Sequence, residues 1–181
     1  MKGDSPYHST IIKKIILTLE LNRMEFIMIE IWWIGATKEK YIQDGIEEYM
    51  SRLKHYTKVK IRVFSDSHKV KDKESVKRSE TLSILKAISK EDFLVLLDER
   101  GNPLTSIEFA KKLEQWTNVS ARNIIFLVGG SFGVTQQLRD KAHWILSMST
   151  FTFSHQMIRL FLAEQLYRAF TILRNENYHN E

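Results

Sequence analysis

The sequence predicts an α/β fold in which helices flank a largely parallel sheet. Short apolar runs alternate with segments of helical periodicity along the chain, which is the pattern of such folds. The fourth apolar run, residues 124–128, leads directly into the glycine-rich residues 129–133. Because open parallel sheets bind ligands where their strands end, we expect a binding site at this edge of the sheet.

Five apolar runs have the length and composition of strands. The first ends at Gly35. In the second, apolar residues alternate with Lys60 and Arg62, which predicts a strand with one mostly basic face. The third and fourth are apolar throughout, as expected for strands buried on both faces, and a turn is predicted at residues 99–103. The predicted strands are residues 29–34, 59–64, 93–98, 124–128 and 144–147.

The first two helices are predicted from apolar residues that recur at helical spacing. Thr37 is the predicted N-cap of the first helix, which extends to about Leu53. Residues 65–78 are polar and basic, and we expect them to form a mobile segment. The second helix follows this segment, and its predicted apolar positions are Leu82, Leu85 and Ile88.

Three more helices complete the predicted fold. Residues 105–108, Thr-Ser-Ile-Glu, form a capping box that starts the third helix, and residues 134–142 form a short fourth one. The last helix, residues 154–174, is apolar almost all round. Such a helix must be buried on more than one side, either in a deep core or against a second subunit.

Composition excludes several classes of chemistry. The chain has 181 residues, 43% of them hydrophobic, which suits one domain with a core of its own. It has no cysteine, which excludes disulfides, thiolate catalysis and cysteine-ligated zinc. No run approaches the roughly 20 apolar residues of a membrane span. We therefore expect a cytoplasmic protein with no metal site, in which residues 1–27 are an extension of a single domain formed by residues 28–181.

Positive charge is concentrated in one part of the chain. The net charge is +5, yet the stretch from Arg52 to Arg78 holds ten basic and three acidic side chains. Such a concentration suits a phosphate-rich partner such as RNA, and it equally suits a solvated face that keeps the protein soluble.

The glycine-rich loop matches one hydrolase motif and fails to match two nucleotide motifs. A dinucleotide site needs G-x-G-x-x-G after the first strand and a P-loop needs Gly-Lys-Ser/Thr, and neither is present. The loop does match G-x-S-x-G, the nucleophile elbow of hydrolases, with Ser131 as the nucleophile. Asp140 and a later histidine, His143, His155 or His179, would give a triad in the usual chain order. A hydrolase therefore stays open as an alternative.

The C-terminal sequence carries a more specific signal. Residues 153–159 read Phe-Ser-His-Gln-Met-Ile-Arg, residues 163–170 read Ala-Glu-Gln-Leu-Tyr-Arg-Ala-Phe, and residues 177–179 read Asn-Tyr-His. Together with Val-Gly-Gly-Ser-Phe-Gly at the glycine-rich loop, they strongly resemble the RlmH family of SPOUT methyltransferases. The resemblance extends from about Met28 to His179.

This resemblance implies a function, a fold and partners. The function is methylation, with S-adenosylmethionine as cofactor, of N3 of a pseudouridine in large-subunit (23S) ribosomal RNA on the assembled subunit or ribosome. The fold is a SPOUT-type sheet with a C-terminal trefoil knot, and the assembly is a homodimer. An alternative is a catalytically inactive RNA-binding module of the same fold.

The resemblance also implies that three loops at the carboxyl ends of strands hold the cofactor. Phe151 and Phe153 would supply apolar walls there, although core packing would explain them equally well. Carried over by position, the cofactor-binding residues are Leu97, Gly129, Met148, Ser149, Thr150, Phe151, Thr152 and Phe153.

Four residues are candidates for catalysis. His155 and Arg159 are four positions apart, so they are expected to share one helix face near the cofactor loop. We expect Arg159 to neutralise charge on the acceptor base or to hold a phosphate, and His155 to order the acceptor or take its proton. His155 could equally be a helix-start residue bonded to the backbone. The resemblance adds Tyr178 and His179, which would reach the active site across the dimer.

Two positions depart from the family pattern. Ser154 stands where members commonly have proline, and Asn180 stands where they have a basic residue after the Tyr-His pair. Ser154 can still cap the last helix, so we expect that change to be mild. Asn180 removes a positive charge at that position, so we do not expect a phosphate-binding or catalytic role there.

Overall fold

The computed structural model describes residues 27–66, 72–119 and 121–179. The predicted extension lies outside the described residues except for Ile27, and so do Asn180 and residues 67–71 of the basic stretch. In chain order the elements are β1 (Met28–Ile34), α1 (Lys40–Leu53), β2 (Lys58–Phe64), α2 (Lys73–Ala87), β3 (Asp92–Pro103), α3 (Ser106–Asn118), β4 (Asn123–Val128), α4 (Gln136–Lys141), β5 (Trp144–Ser147) and α5 (His155–Leu173).

The five strands form one parallel sheet in the order β2-β1-β4-β3-β5. This confirms the predicted α/β class with a parallel sheet flanked by helices. Because β4, β3 and β5 are neighbours and parallel, the loops that follow them emerge side by side at one edge. The order of the strands therefore brings together three segments that are far apart in the chain.

The sheet separates two hydrophobic layers. Alternate residues of β4 point to opposite faces, so Phe126 packs in one layer and Leu127 in the other. Helices α1, α3 and α5 cover the first layer, and α2 and α4 cover the second.

Helix α5 packs against both α1 and α3, as its apolar sequence predicts. Leu162, Leu166 and Phe170 are buried, while Phe161 and Tyr167 are only partly covered. The part of the chain that the structure describes therefore buries this helix on more than one side and leaves other apolar side chains within reach of solvent. The trefoil knot stays a prediction from the family.

One predicted helix cap and one predicted turn are wrong. Helix α1 begins at Lys40 after Glu39, which makes no side-chain cap, and Thr37 instead accepts a hydrogen bond from Arg159. Residues 99–103 belong to β3, which resumes after a bulge and pairs again with β5 through Asn102. Both differences arise from contacts between distant parts of the chain, which outweigh local preferences.

Helix α2 also differs from its prediction. It begins at Lys73, within the segment expected to be mobile, because the Asp72 side chain accepts the Ser75 backbone N–H at 2.9 Å and caps it. The buried face of the helix also differs from the predicted one, since Leu82 is 53% exposed, whereas Thr81 is buried. The Thr81 hydroxyl forms a hydrogen bond of 2.9 Å with the hydroxyl of Thr135, which makes that burial possible.

Candidate functional site

A cavity of about 480 Å³ opens at the carboxyl edge of the sheet, where β3, β4 and β5 end. Ligand sites usually have volumes of about 300–1,000 Å³, so this cavity can hold a ligand of nucleoside size. Thr150 is exposed in the same loop as other predicted residues but does not line the cavity. The remaining predicted cofactor residues all line it: Leu97, Gly129, Met148, Ser149, Phe151, Thr152 and Phe153.

The glycine-rich loop forms a tight turn at the rim of this cavity. The Gly133 N–H donates to the Gly130 carbonyl at 3.0 Å, which leaves Ser131 and Phe132 at the tip. Gly133 has a φ of 75°, a conformation that residues with a Cβ rarely adopt. The turn therefore depends on glycine at its last position.

The same geometry does not support the hydrolase alternative. A nucleophile elbow holds its serine on a strained turn, yet Asn175 is the only non-glycine residue with positive φ in the described ranges. Ser131 is therefore in an ordinary turn conformation. His143, one of the candidate bases, accepts the Leu94 N–H on its Nδ1 at 3.0 Å and is bound to the sheet instead.

An ion pair that the sequence did not reveal connects two of the cavity loops. Asp98 follows Leu97 in β3, and Arg139 lies on α4 after the glycine-rich loop. The Arg139 Nε and Nη2 donate to Asp98 Oδ2 at 3.0 and 2.7 Å, and its Nη1 donates to the Val134 carbonyl at 3.2 Å. The exposed fractions of the two side chains are 19% for Arg139 and 8% for Asp98. The pair therefore fixes the glycine-rich loop relative to the end of β3.

His155 lines the cavity as the first residue of α5. Ser154 caps this helix, because its hydroxyl accepts the Met157 N–H at 3.2 Å. The predicted capping role of Ser154 is thus confirmed. The cap fixes the start of α5 and with it the position of the His155 side chain at the cavity wall.

The structure does not bring Arg159 to the cavity. Its side chain is fully buried, and its guanidinium lies 5.1 Å from the centre of the Trp33 ring. Nη2 donates to the Ile34 carbonyl at 2.7 Å and Nη1 donates to the Thr37 hydroxyl at 2.8 Å. This placement differs from the predicted contact with the acceptor, because the guanidinium is directed towards the end of β1. Spacing along the helix could not show which of two nearby residues turns inward.

Tyr178 and His179 lie against the second half of α5. The Tyr178 hydroxyl lies 3.2 Å from Glu164 Oε1 and 3.3 Å from the Tyr49 hydroxyl. The Arg168 guanidinium lies 4.7 Å from the centre of the Tyr178 ring, and His179 Nδ1 is 3.3 Å from Arg168 Nη1. Burial is the main cause that raises the pKa of the Tyr178 hydroxyl. Neither residue lines the cavity of its own chain.

The residues that the structure describes lack two kinds of feature. They contain no group of three or more histidine, cysteine or acidic residues that could hold a metal ion. They also contain no helix of the length and apolar character that a bilayer span requires.

The fold and the cavity define an α/β protein with a concave site at the carboxyl edge of a parallel sheet. A family model described as predicted SPOUT methyltransferase matches residues 27–179. The chain therefore belongs to the SPOUT methyltransferase family, as its C-terminal sequence predicts.

Two relatives of this chain carry the same name. A Parabacteroides distasonis protein named ribosomal RNA large subunit methyltransferase H is 42% identical over 150 residues, which cover 82% of this chain and 96% of that protein. A Christiangramia forsetii protein of the same name is 41% identical over 149 residues, which cover 81% and 95%. A solved structure of a probable methylase family protein from Haemophilus influenzae aligns with a TM-score of 0.50 at 16% identity, over 84% of this chain and 67% of that one. That likeness shows the fold.

Proposed function

We propose that this protein methylates N3 of a pseudouridine in large-subunit ribosomal RNA, with S-adenosylmethionine as the methyl donor. The family of the chain and the names of its relatives support methylation of ribosomal RNA. The observation that carries the proposal is the cavity at the ends of β3, β4 and β5, lined by seven residues of the predicted cofactor loops. We further propose that residues 28–181 act as a single cytoplasmic methyltransferase domain.

The residues of the cavity fit S-adenosylmethionine. Leu97, Leu146 and Ile158 offer apolar walls for an adenine ring, and the loops after β4 and β5 offer backbone amides and carbonyls to read its edge. At Gly129 a Cβ would lie 2.9 Å from Val134 Cγ1, so a larger residue would push this loop out of shape. Glycine thus leaves the backbone of the loop bare beside the ligand.

When bound, S-adenosylmethionine supplies a methyl group attached to a sulfonium centre. The residues of the chain hold donor and acceptor in line, and such positioning supplies most of the catalysis. The acceptor N3 carries a proton that must leave, and His155 is the cavity residue that we propose accepts it or orders the base. We propose a positioning role for Arg159, which connects the end of β1 to α5.

We propose that Tyr178 and His179 complete the active site of a second copy of the chain. Both lie outside their own cavity, against Glu164 and Arg168. A groove of about 390 Å³ between α3 and α5 adjoins that cavity, and the partly covered Phe161 is one of its apolar residues. A partner chain seated in this groove would cover the apolar side of α5 and bring its own tail close to the cavity.

The basic residues of the chain are proposed to contact ribosomal RNA phosphates. Lys58 and Arg62 are exposed on β2, at the edge of the sheet. A domain of this size offers a small footprint, so we propose that the acceptor is the assembled subunit or ribosome.

The first experiment is calorimetric titration of the protein with S-adenosylmethionine. Thr152 and Thr150 are exposed residues of one loop, and only Thr152 lines the cavity. We expect Thr152→Trp and Gly129→Arg to abolish micromolar binding, and the matched control Thr150→Trp to keep it. A folded wild-type protein that binds no S-adenosylmethionine, yet binds RNA, would instead indicate the inactive RNA-binding module.

The second experiment measures transfer of a labelled methyl group to ribosomes that lack the modification. Thr152→Trp and His179→Ala homodimers are each expected to be inactive. Dimers that contain one chain of each kind have one intact cavity served by one intact tail, so they should regain up to about half of the wild-type activity. No recovery in the mixed dimers would contradict the shared active site, while leaving the methylation itself measurable in the wild type.

A further inference from the structure

Exposed aromatic rings gather at the mouth of the cavity. In the described ranges seven large hydrophobic side chains are exposed, and three of them, Phe132, Phe151 and Phe153, line this one cavity. Single exposed apolar residues are ordinary on a protein surface, whereas a cluster beside a concave site indicates binding. Phe151 and Phe153 belong to the predicted cofactor loop. Phe132 has no role in what has been described so far.

Phe132 is presented by a turn whose two ends are fixed. It lies at the tip of the turn closed by the hydrogen bond between Gly133 and Gly130. Val134, which follows the turn, is buried in the layer beneath α2 and α4. Phe132 is 40% exposed, so the turn leaves part of this residue accessible at the rim of the cavity.

A lysine side chain lies close to the Phe132 ring. The Lys73 Nζ lies 5.6 Å from the centre of the Phe132 ring, and Lys73 is the first residue of α2. A cation is unfavourable at a helix N-terminus because the helix dipole places positive charge there. Lys73 therefore gains nothing from the helix dipole, and its exposed side chain places the ammonium group near the Phe132 ring.

Further cations lie on the same side of the sheet. Arg62 on β2 lies 4.9 Å from the ring centres of both Trp32 and Phe64, and these two residues belong to the layer that α2 covers. Lys60, two residues earlier in β2, points to this side too and forms an ion pair of 2.9 Å with Glu30. Arg62 at the edge of β2 and Lys73 at the start of α2 thus lie on the face that ends at Phe132, while Glu30 offsets the charge of Lys60.

We propose that Phe132 and Lys73 bind the RNA nucleotide next to the acceptor, the base stacked on the ring and the phosphate beside the ammonium group. This inference rests on the proposed function. An acceptor base can enter the cavity only after it leaves its stack in the RNA, and its neighbour then loses a stacking partner. An aromatic ring replaces that partner without regard to sequence, and a cation beside it suits the adjoining phosphate.

The test compares kinetic constants of matched variants. We expect Phe132→Ala to raise the KM for ribosomes at least about fivefold, as the loss of one stacked base would do. Its kcat and its dissociation constant for S-adenosylmethionine should stay within about twofold of the wild type, because stacking on the neighbouring nucleotide contributes to binding of the RNA and not of the cofactor. Phe132→Trp should restore the KM. Val119→Ala, which shortens an exposed apolar side chain at the end of α3, is the control and should change nothing.

The phosphate contact is tested by its salt dependence. Lys73→Gln should lower the slope of log KM against log salt concentration by about one, as expected for one phosphate contact. Lys86→Gln, at the exposed last turn of the same helix, should leave this slope unchanged.

Two results would overturn the inference. One is a KM for ribosomes that Phe132→Ala leaves unchanged. The other is an equal weakening of S-adenosylmethionine binding or of the dimer, which would assign the ring to the cofactor or the partner chain. If the wild type transferred no methyl group, the proposed function would be contradicted, whereas the inference about Phe132 would remain open to test. The affinity for an unmodified single-stranded RNA oligonucleotide, measured by fluorescence anisotropy for wild type and Phe132→Ala, would then still decide the role of Phe132.

Discussion

The buried guanidinium of Arg159 donates a hydrogen bond of 2.8 Å to the hydroxyl of Thr37, 122 residues earlier in the chain. A second donor bonds the Ile34 carbonyl at 2.7 Å. Burial lowers the pKa of Arg159 to about 10, and the charge of Asp66 partly opposes this shift. Arg159 therefore remains charged near neutral pH, and each of its hydrogen bonds offsets part of the cost of burying that charge.

Removal of the Thr37 hydroxyl should destabilise the protein. Thr37→Val keeps the shape of the side chain but leaves one donor of a buried cation without its acceptor, which costs about 1–3 kcal/mol. We expect the unfolding midpoint to fall by several degrees, since about 1 kcal/mol corresponds to roughly 2–4 °C in a domain of this size. Thr37→Ser keeps the hydroxyl and is the control. Equal midpoints for the two variants in a calorimetric scan would show that this bond adds nothing.

Most of the fold could be predicted from the sequence because its signals are local. The apolar run at β4 and the helical spacing in α5 both arise from neighbours in the chain, and so does the cap at Ser154. The errors have long-range causes. Thr37 was expected to cap α1 because threonine favours that position, but a contact with Arg159 uses its hydroxyl instead. Leu82 was expected in the core, but Thr81 occupies the buried position.

The candidate site follows the same rule. Residues of the three loops were predicted as a group because their motifs resemble those of a known family. The Asp98–Arg139 ion pair was missed because the two residues are 41 positions apart and neither belongs to a motif. Only the order of strands in the sheet brings them together.

The Asp98–Arg139 ion pair should support cofactor binding through the shape of the cavity. Asp98→Asn removes the charge that receives two Arg139 donors, and hydrogen bonds of charged groups contribute about 1.5–3 kcal/mol. We expect the dissociation constant for S-adenosylmethionine to rise about tenfold, with kcat at saturation largely kept. Asp140→Asn, an exposed change beside Arg139, is the control. In a double-mutant cycle, the loss of binding free energy in the Asp98→Asn, Arg139→Gln double variant should be smaller than the sum of the losses in the two single variants. Full additivity would mean that the pair does not act as a unit.

The pKa of His143 should lie below its ordinary value. Partial burial of its ring is the main cause that lowers the pKa of His143 from 6.5, and the charge of Lys141 adds to the effect, although the residue as a whole is exposed. The ring also stacks on Phe93, and its Nδ1 can accept the Leu94 N–H only while it is unprotonated. An NMR titration of the ring should therefore give a pKa below that of a model histidine.

The sign of the effect of His143 on stability follows from this shift. The folded chain takes up this proton at a lower pH than the unfolded chain, whose histidine has a pKa near 6.5, so the folded state loses stability as pH falls below that value. His143→Gln, which keeps a side-chain acceptor for Leu94, should lose less stability between pH 7.5 and pH 5.5 than the wild type. A larger loss in the variant would mean that another group controls the acid side.

Replacement of Gly133 should lower the free energy of unfolding because of the backbone conformation at this position. Its φ is 75°, and a Cβ added there would meet no atom within 4 Å, so an effect of Gly133→Ala would come from the dihedral angle and not from a clash. We expect Gly133→Ala to lower the free energy of unfolding by about 1–2 kcal/mol in urea denaturation. Asparagine tolerates this conformation better, so Gly133→Asn should cost clearly less. A cost for Gly133→Asn greater than that of Gly133→Ala would show that the size of the side chain, and not the dihedral angle, limits this last position of the turn.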